Sequence, residues 1–326
     1  MRRLALRRLA GLALALLFAF NLIAYNHARS MITVRASGAR TPAPEKLTGM
    51  AKLKTLLLGI RLPRATAYST PREHGLAAET LPVASTDGIM LKAWLCPSEG
   101  NRVMVLMFHG YGSEKSAMLE EAKALYDLGL SVCLVDFRGS GESSGDRTTI
   151  GYQEADDVQA VYAAIKARYP EQRIILYGES MGAAAILRAV AKGGVAPDGI
   201  IAVSVFDSLL RTVENRFETM RLPGFPAAHL LVFWAGILMH GNAFAYHPVR
   251  YAESVECPIL FIHGAKDPRA RLADARRVYE AVPGTNKRFA EFTDSGHQSH
   301  LNDNQPDWTE QVSWLLPMVS KESELN

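Results

Sequence analysis

Ser180 stands in Gly178-Glu-Ser-Met-Gly182, between an apolar run (Ile174, Ile175, Leu176) and a stretch of strong helix formers (Ala183, Ala184, Ala185, Ile186, Leu187). Gly-x-Ser-x-Gly joining a strand to a helix is the pattern of a nucleophile elbow. The serine sits in a strained turn, and the two glycines let the neighbouring backbones close in. Such a turn lifts the serine Oγ above the sheet and aims the first amides of the helix at whatever the serine attacks. A glycine-rich turn that happens to hold a serine is the plainer alternative, so partners elsewhere in the chain must decide.

A serine nucleophile needs a base, an acid that orients the base, and donors for an oxyanion. An apolar run over 103–108 ends in His109-Gly-Tyr-Gly112, a glycine-flanked loop whose amides are free. The Tyr111 N–H can therefore join the Met181 N–H as the oxyanion hole. His109 itself reads as a structural hydrogen-bonding group rather than a base. Asp267 follows the apolar run over 258–263 and is the expected orienting acid, with Asp207, after the preceding run, as its competitor. His297, in Asp294-Ser-Gly-His297 after the last apolar run, is the expected base, and His300 is the fallback. The expected catalytic residues are thus Ser180, Asp267 and His297.

The elements that must position these residues alternate along the chain. Residues 81–85 and 90–95, joined at Asp87-Gly88, read as an antiparallel hairpin at a sheet edge. Runs over 103–108, 131–137, 199–206, 258–263 and 288–292, with the run before Ser180, read as strands. Segments 115–128, 154–169, 271–281 and 308–316, with the one after Ser180, read as helices. Alternation of this kind predicts an α/β fold, a mostly parallel sheet with helices on both faces and ligands at the strand C-termini. Residues 207–256 break the rhythm and read as a helical cap inserted over the site. Apolar side chains over 230–239, Phe233 and Trp234 among them, are expected to sense an acyl chain, with plain core packing as the alternative.

The 326 residues are 48% hydrophobic and carry a net charge of +3, which supplies a large core and argues against a nucleic-acid partner. Three cysteines permit at most one disulfide. No metal-ligand spacing or cofactor motif is present, so neither is expected. Arg2, Arg3, Arg7 and Arg8 make a basic N-terminus (1–8) ahead of 9–25, an uncharged apolar stretch with Asn21 as its polar exception. That stretch reads as a transmembrane anchor holding the catalytic domain outside the cytoplasm, or as a cleaved signal for an exported soluble protein. Residues 26–80 read as a stalk whose basic amphipathic part either lies on lipid or packs on the domain. The catalytic domain is expected over 81–318 and a tail over 319–326.

The order Ser180, Asp267, His297, together with His109-Gly-Tyr-Gly112 and Asp136-Phe-Arg-Gly-Ser-Gly-Glu-Ser-Ser-Gly145, resembles the α/β-hydrolase superfamily over 81–318. The Asp-x-Arg-Gly-x-Gly-x-Ser block is similar to the serine aminopeptidase-like and lysophospholipase-like branch, which includes membrane-anchored hydrolases. The resemblance implies the α/β-hydrolase fold, a structural role for the turn over 136–143, and acyl transfer to water. Pro268-Arg-Ala-Arg271 follows Asp267 where that branch often carries an apolar residue and a proline. Three functions are weighed, and the first is the one the residues support, with the other two as alternatives. One is a hydrolase of a lipophilic carboxylic ester or thioester, with a small-molecule or lipid acyl substrate. Another is a peptidase, amidase or acyltransferase on the same residues. The third is a membrane-tethered binding module without catalysis.

Overall fold

Eight strands form one mixed sheet in the computed structural model, which describes residues 2–100, 102–297, 299–302 and 305–320. Helices α1 (Arg2–Ile32) and α2 (Gly49–Leu58) precede an edge hairpin, β1 (Glu79–Ala84) and β2 (Met90–Cys96). Then come β3 (Val103–Phe108), α3 (Leu119–Asp127), β4 (Ser131–Asp136), α4 (Glu154–Arg168), β5 (Arg173–Glu179), α5 (Met181–Lys192) and β6 (Gly199–Val203). The cap follows as α6 (Leu209–Thr219), α7 (Ala227–Leu238) and the short α8 (Pro248–Tyr251). The chain closes with β7 (Ile259–Gly264), α9 (Leu272–Ala281), β8 (Lys287–Phe292) and α10 (Gln305–Ser320). The tail expected at 319–326 lies outside the described residues beyond Ser320, as does Met1 of the basic N-terminus.

The strand order is β1-β2-β4-β3-β5-β6-β7-β8, antiparallel at β1, β2 and β4 and parallel from β4 onward. Every residue of β3, β4, β6 and β7 is buried, because helices cover both faces of these mostly apolar runs. Val158, Ile165, Ile186 and Val278 of α4, α5 and α9 fill one side, and Leu125, Trp308, Val312 and Leu315 of α3 and α10 fill the other. Winding reverses between β3 and β5, which opens a crevice at their C-terminal ends. The three cysteines are free, and burial pushes the Cys96 and Cys257 thiols up to about 12.

The turn after β4 is a knot of buried charge. Lys115 is fully buried, and its Nζ donates to Asp136 Oδ2 at 2.5 Å and to Glu142 Oε2 at 2.6 Å while lying 4.3 Å from the Trp94 ring centroid. Asp136 also accepts the Lys115 and Glu142 amides at 2.8 and 2.9 Å. Arg138 forks onto the buried Asp157, with contacts of 2.8 to 3.2 Å. None of these groups lines the cavity described below.

The segment 26–80, expected as a stalk, lies against the domain. Arg35 N and Arg64 N exchange bonds with Leu62 O and Arg35 O at 2.8 and 2.7 Å, so 33–64 is a flap that leaves and returns beside itself. Arg64 Nη1 donates to Ser143 O at 2.7 Å and ties the flap to the charged turn. Leu47 and Leu62 of the flap are buried, and Leu76 packs in the cluster of Leu119 and Leu125 of α3. Helix α2 buries Thr55 and exposes Met50, Leu53, Leu57 and Leu58. The stretch 9–25 is part of the 31-residue α1, about 46 Å long at ~1.5 Å per residue. Its apolar side chains up to Leu22 are exposed, while Ala24, Ala28, Met31 and Ile32 pack into the domain.

Removing one partner of a buried pair leaves an uncompensated charge, which costs about 3–5 kcal/mol. Asp136→Ala is therefore expected to lower the thermal midpoint by on the order of 10 °C in a far-ultraviolet melt. A shift within about 2 °C would show that Glu142 alone satisfies Lys115.

Candidate active site

Ser180 has φ 51° and ψ −103°, between β5 and α5. For a residue with a Cβ this conformation costs on the order of 1–3 kcal/mol and persists only where packing over-determines it. The packing is visible at the flanking glycines. A Cβ on Gly182 would sit 2.2 Å from Phe108 O, and one on Gly178 would sit 2.5 Å from Ala183 N. Ser180 N donates to Val203 O at 2.8 Å, which pins the turn between the ends of β5 and β6.

The His297 loop and the Asp267 loop meet beyond β7 and β8. Gly264 permits this, since a Cβ there would lie 2.4 Å from Gly296 O. His297 Nδ1 lies 2.6 Å from Asp267 Oδ2, while Asp267 Oδ1 accepts the Arg269 and Ala270 amides at 2.8 and 3.0 Å. Burial opposes the Asp267 charge, but the hydrogen bond and charge of His297 and the Arg269 amide outweigh it and hold the carboxyl below its ordinary range. An ionised Asp267 fixes the proton of a neutral His297 on Nδ1 and leaves Nε2 as the acceptor. His263 Nε2 donates to Ala270 O at 2.9 Å and braces the same loop.

The rival residues sit elsewhere. Asp207 is held by Arg277 at 2.7 and 3.0 Å and faces no histidine ring at hydrogen-bond distance among the described residues. His300 is buried, stacks on Phe292 at 5.3 Å and contacts Ser204 Oγ at 3.3 Å, outside the cavity lining. His109 is buried, with Nε2 accepting the Phe137 amide at 3.2 Å and Nδ1 donating to Gly110 O at 2.8 Å, so both ring nitrogens are committed. Burial pushes its pKa down. The Tyr111 and Met181 N–H groups meet no acceptor among the described residues. A Cβ on Gly110 would lie 3.8 Å from Ser180 Cβ, so the Tyr111 loop lies directly over the elbow.

Ser180, His297, Tyr111 and Met181 line one cavity of about 540 Å³, within the ~300–1,000 Å³ range of ligand pockets. Its covering wall differs from expectation. Val213, Phe217, Met220 and Leu231 of the cap contribute, but so do Pro42, Leu47, Leu56, Ile60 and Leu62 of the flap. Phe233 is 47% exposed and Trp234 packs edge-on against Tyr25 of α1 at 5.2 Å, so neither faces the cavity. On a helix apolar all round, only Leu231 points inward to the site. The sequence reading missed the flap and Arg40, Arg216 and Arg269, which also line the cavity. Leu47, Leu62, Arg40 and Arg269 stand in irregular chain and carry no periodic signal, and Arg216 is one charge among several on α6.

The pKa of Glu179, beside Ser180, is raised to about 8, first by burial and then by the charge of Glu121. Tyr177 OH donates to it at 3.4 Å, and Ser299 Oγ donates to the buried Glu121. Two carboxyls in one low-dielectric region cannot both ionise cheaply. Among the described residues, no group of three or more His, Cys, Asp or Glu side chains could hold a metal ion.

The strand order and the elbow are those of the α/β-hydrolase fold, and the chain is similar in part to serine hydrolases. Residues 99–211 match the family model described as "Serine aminopeptidase, S33". An uncharacterized membrane protein of Saccharomyces cerevisiae is 25% identical over 71% of this chain and 78% of its own length. The lysophosphatidylserine lipase ABHD12 of Mus musculus is 25% identical over 59% of this chain and 48% of its own length. Among solved structures, the Pyrococcus furiosus esterase Pf2001 superposes with a TM-score of 0.67 and 24% identity, covering 79% of this chain and 97% of that one.

Glu179 also predicts a pH signature. Its folded pKa lies above the ordinary ~4.3 of an unfolded glutamate, so the unfolded chain binds fewer protons between the two values. Its contribution to stability is full below about pH 4.3 and is lost as pH rises to about 8. Urea midpoints of wild type and Glu179→Gln should therefore diverge steadily across that window, with the wild type falling more. Parallel curves would mean that Glu179 is ionised throughout.

Proposed function

We propose that the protein hydrolyses a carboxylic ester with a lipophilic acyl chain at a membrane surface, using Ser180, His297 and Asp267. The observation that carries this reading is the Asp267–His297 bond of 2.6 Å, opening onto the same cavity as a serine strained into an elbow. Ser180 Oγ attacks the ester carbonyl carbon as His297 Nε2 takes its proton. The Tyr111 and Met181 amides hold the tetrahedral oxyanion, a contribution of roughly 3 kcal/mol per donor. The bond to the alcohol oxygen breaks as His297 returns the proton to it. Water then attacks acyl-Ser180 with His297 again as base, which releases the acid and restores Ser180. Asp267 stays ionised and holds the imidazole in place.

The acyl chain is assigned to the wall made by Ile60, Leu62, Val213, Phe217, Met220 and Leu231. Each buried methylene gains roughly 0.8 kcal/mol there. An aminopeptidase site would need a carboxylate for the substrate ammonium, whereas the cavity lining carries arginines and one carboxylate, Glu179. That supports the ester over the amine-bearing peptide. Helix α1 is long and apolar enough to cross a membrane, and it extends well beyond the ~30 Å of a hydrocarbon core. Helix α7 packs along its C-terminal part and leaves Phe233 and Ile237 exposed, which suits the edge of the same bilayer. The relatives named a membrane protein and a lipase agree with this placement.

Ser180→Ala should abolish hydrolysis of p-nitrophenyl octanoate with the melting curve unchanged; turnover equal to wild type after background subtraction would exclude the assignment. Asp267→Asn should lower kcat by roughly 10⁴, and Asp207→Asn by less than about tenfold. The reverse ranking would move the acid to β6. Leu231→Trp, which fills the apolar wall, should cut octanoate turnover relative to acetate by roughly tenfold, the worth of about two methylenes. Equal losses on the two esters would show that this wall does not read chain length.

A further inference from the structure

Among the described residues the fully buried cations are saturated: Lys115 by Asp136 and Glu142, Arg138 by Asp157. Arg216 is half-buried and, like Arg188, has a buried Nε with no partner; of the two, only Arg216 reaches the cavity of Ser180. It projects from α6 into the cavity of Ser180 and His297, its Nε is buried with no hydrogen-bond partner, and no carboxylate pairs with it among the described residues. It lies over the Tyr111 ring, with the guanidinium carbon 5.7 Å from the centroid.

The neighbours add to its charge instead of cancelling it. Arg40 donates to Gly112 O at 2.7 Å and Tyr111 O at 3.2 Å, both neutral carbonyls. Arg269 pairs with Glu45 at 2.5 Å, yet its own Nε is buried without a partner. Burial pulls the Arg216 pKa down; Tyr111 and Glu45 oppose this, and the charges of Arg269 and Arg40 reinforce it. In all, the side chains of Arg40, Lys46, Arg61, Arg216 and Arg269 line the cavity against the single carboxylate of Glu179. An unpaired guanidinium in a water-poor site is expensive unless something completes it. Its planar fork matches a phosphate or carboxylate in bidentate geometry.

We propose that Arg216 is an anion subsite of the cavity, and that the substrate is an acyl ester which also carries a phosphate or carboxylate group. The apolar wall and the cationic wall then bind the two ends of one amphiphile. This rests on the ester-hydrolase reading for the word substrate, but the binding site can be tested without it.

The experiment uses the full chain in detergent micelles with Ser180→Ala, titrated calorimetrically with dodecyl phosphate, laurate, dodecanol and inorganic phosphate. Dodecyl phosphate or laurate should bind at least about tenfold tighter than dodecanol, and the tighter of the two names the anion. Adding Arg216→Gln should reduce that preference to within about threefold, while Arg216→Lys should keep an intermediate value. No preference for either anion over dodecanol, or a preference that survives Arg216→Gln, overturns the proposal. Inorganic phosphate binding as tightly as dodecyl phosphate overturns the lipid-borne source. If Arg216→Gln fails to fold, the comparison of ligands on Ser180→Ala and the Arg216→Lys value decide. These affinities are read on a protein without its nucleophile, so absent ester turnover would remove the hydrolase reading and leave the subsite standing.

Discussion

The structure depends on one close approach, the backbone of Gly182 against the backbone of Phe108. A Cβ at Gly182 would lie 2.2 Å from Phe108 O, so α5 can start where it does only if that position is bare. The approach forces Ser180 into its positive φ and sets the N-terminus of α5 against the end of β3. It thereby brings the Met181 amide beside the Tyr111 loop. The strain is carried by the surrounding sheet, whose parallel strands are buried on both faces and cannot yield locally. The backbone conformation of Ser180 is thus a consequence of packing between β3, β5 and α5.

Around that centre, buried charge is used in two ways. Asp136, Asp157 and Glu154 are saturated by lysine, arginine or backbone amides, and each fixes a loop near the strand ends. Glu154 accepts Thr149 N, Gly151 N and both threonine hydroxyls of 148–149, which shapes the stretch holding the cavity residue Ile150. Asp267 belongs to the same class but keeps one oxygen for His297. Arg216 and Glu179 are of the other kind: both line the cavity, Arg216 with an unpartnered Nε and Glu179 with its pKa raised to about 8 by burial. Groups of the first kind stabilise the fold, and groups of the second are available to a ligand.

What was legible in the sequence is what depends on neighbours along the chain. The strand over 103–108, the elbow and the hairpin turn at Asp87-Gly88 each announce themselves through local pattern, and the α/β-hydrolase fold follows from their alternation. The loops that carry Asp267 and His297 were legible as loops because each follows an apolar strand. The flap over 33–64 was not legible, because its buried Leu47 and Leu62 stand alone in irregular chain and acquire meaning only against α6 and the loop after β3. Phe233 and Trp234 misled for a related reason: α7 is apolar on every side, so its pattern does not say which side meets α1 and which meets the cavity. Arg216 carries no signal in sequence, since nothing marks an arginine whose partner is missing.

The account turns on Ser180 as the residue that becomes acylated, and peptide mapping by mass spectrometry after treatment with a fluorophosphonate tests this most directly. Ser113, Ser204 and Ser299 line the same cavity and serve as internal controls. The account predicts one stoichiometric adduct on the peptide containing Ser180, strongly slowed by His297→Ala. An adduct on Ser113, Ser204 or Ser299 instead, or no adduct on folded protein, would contradict it.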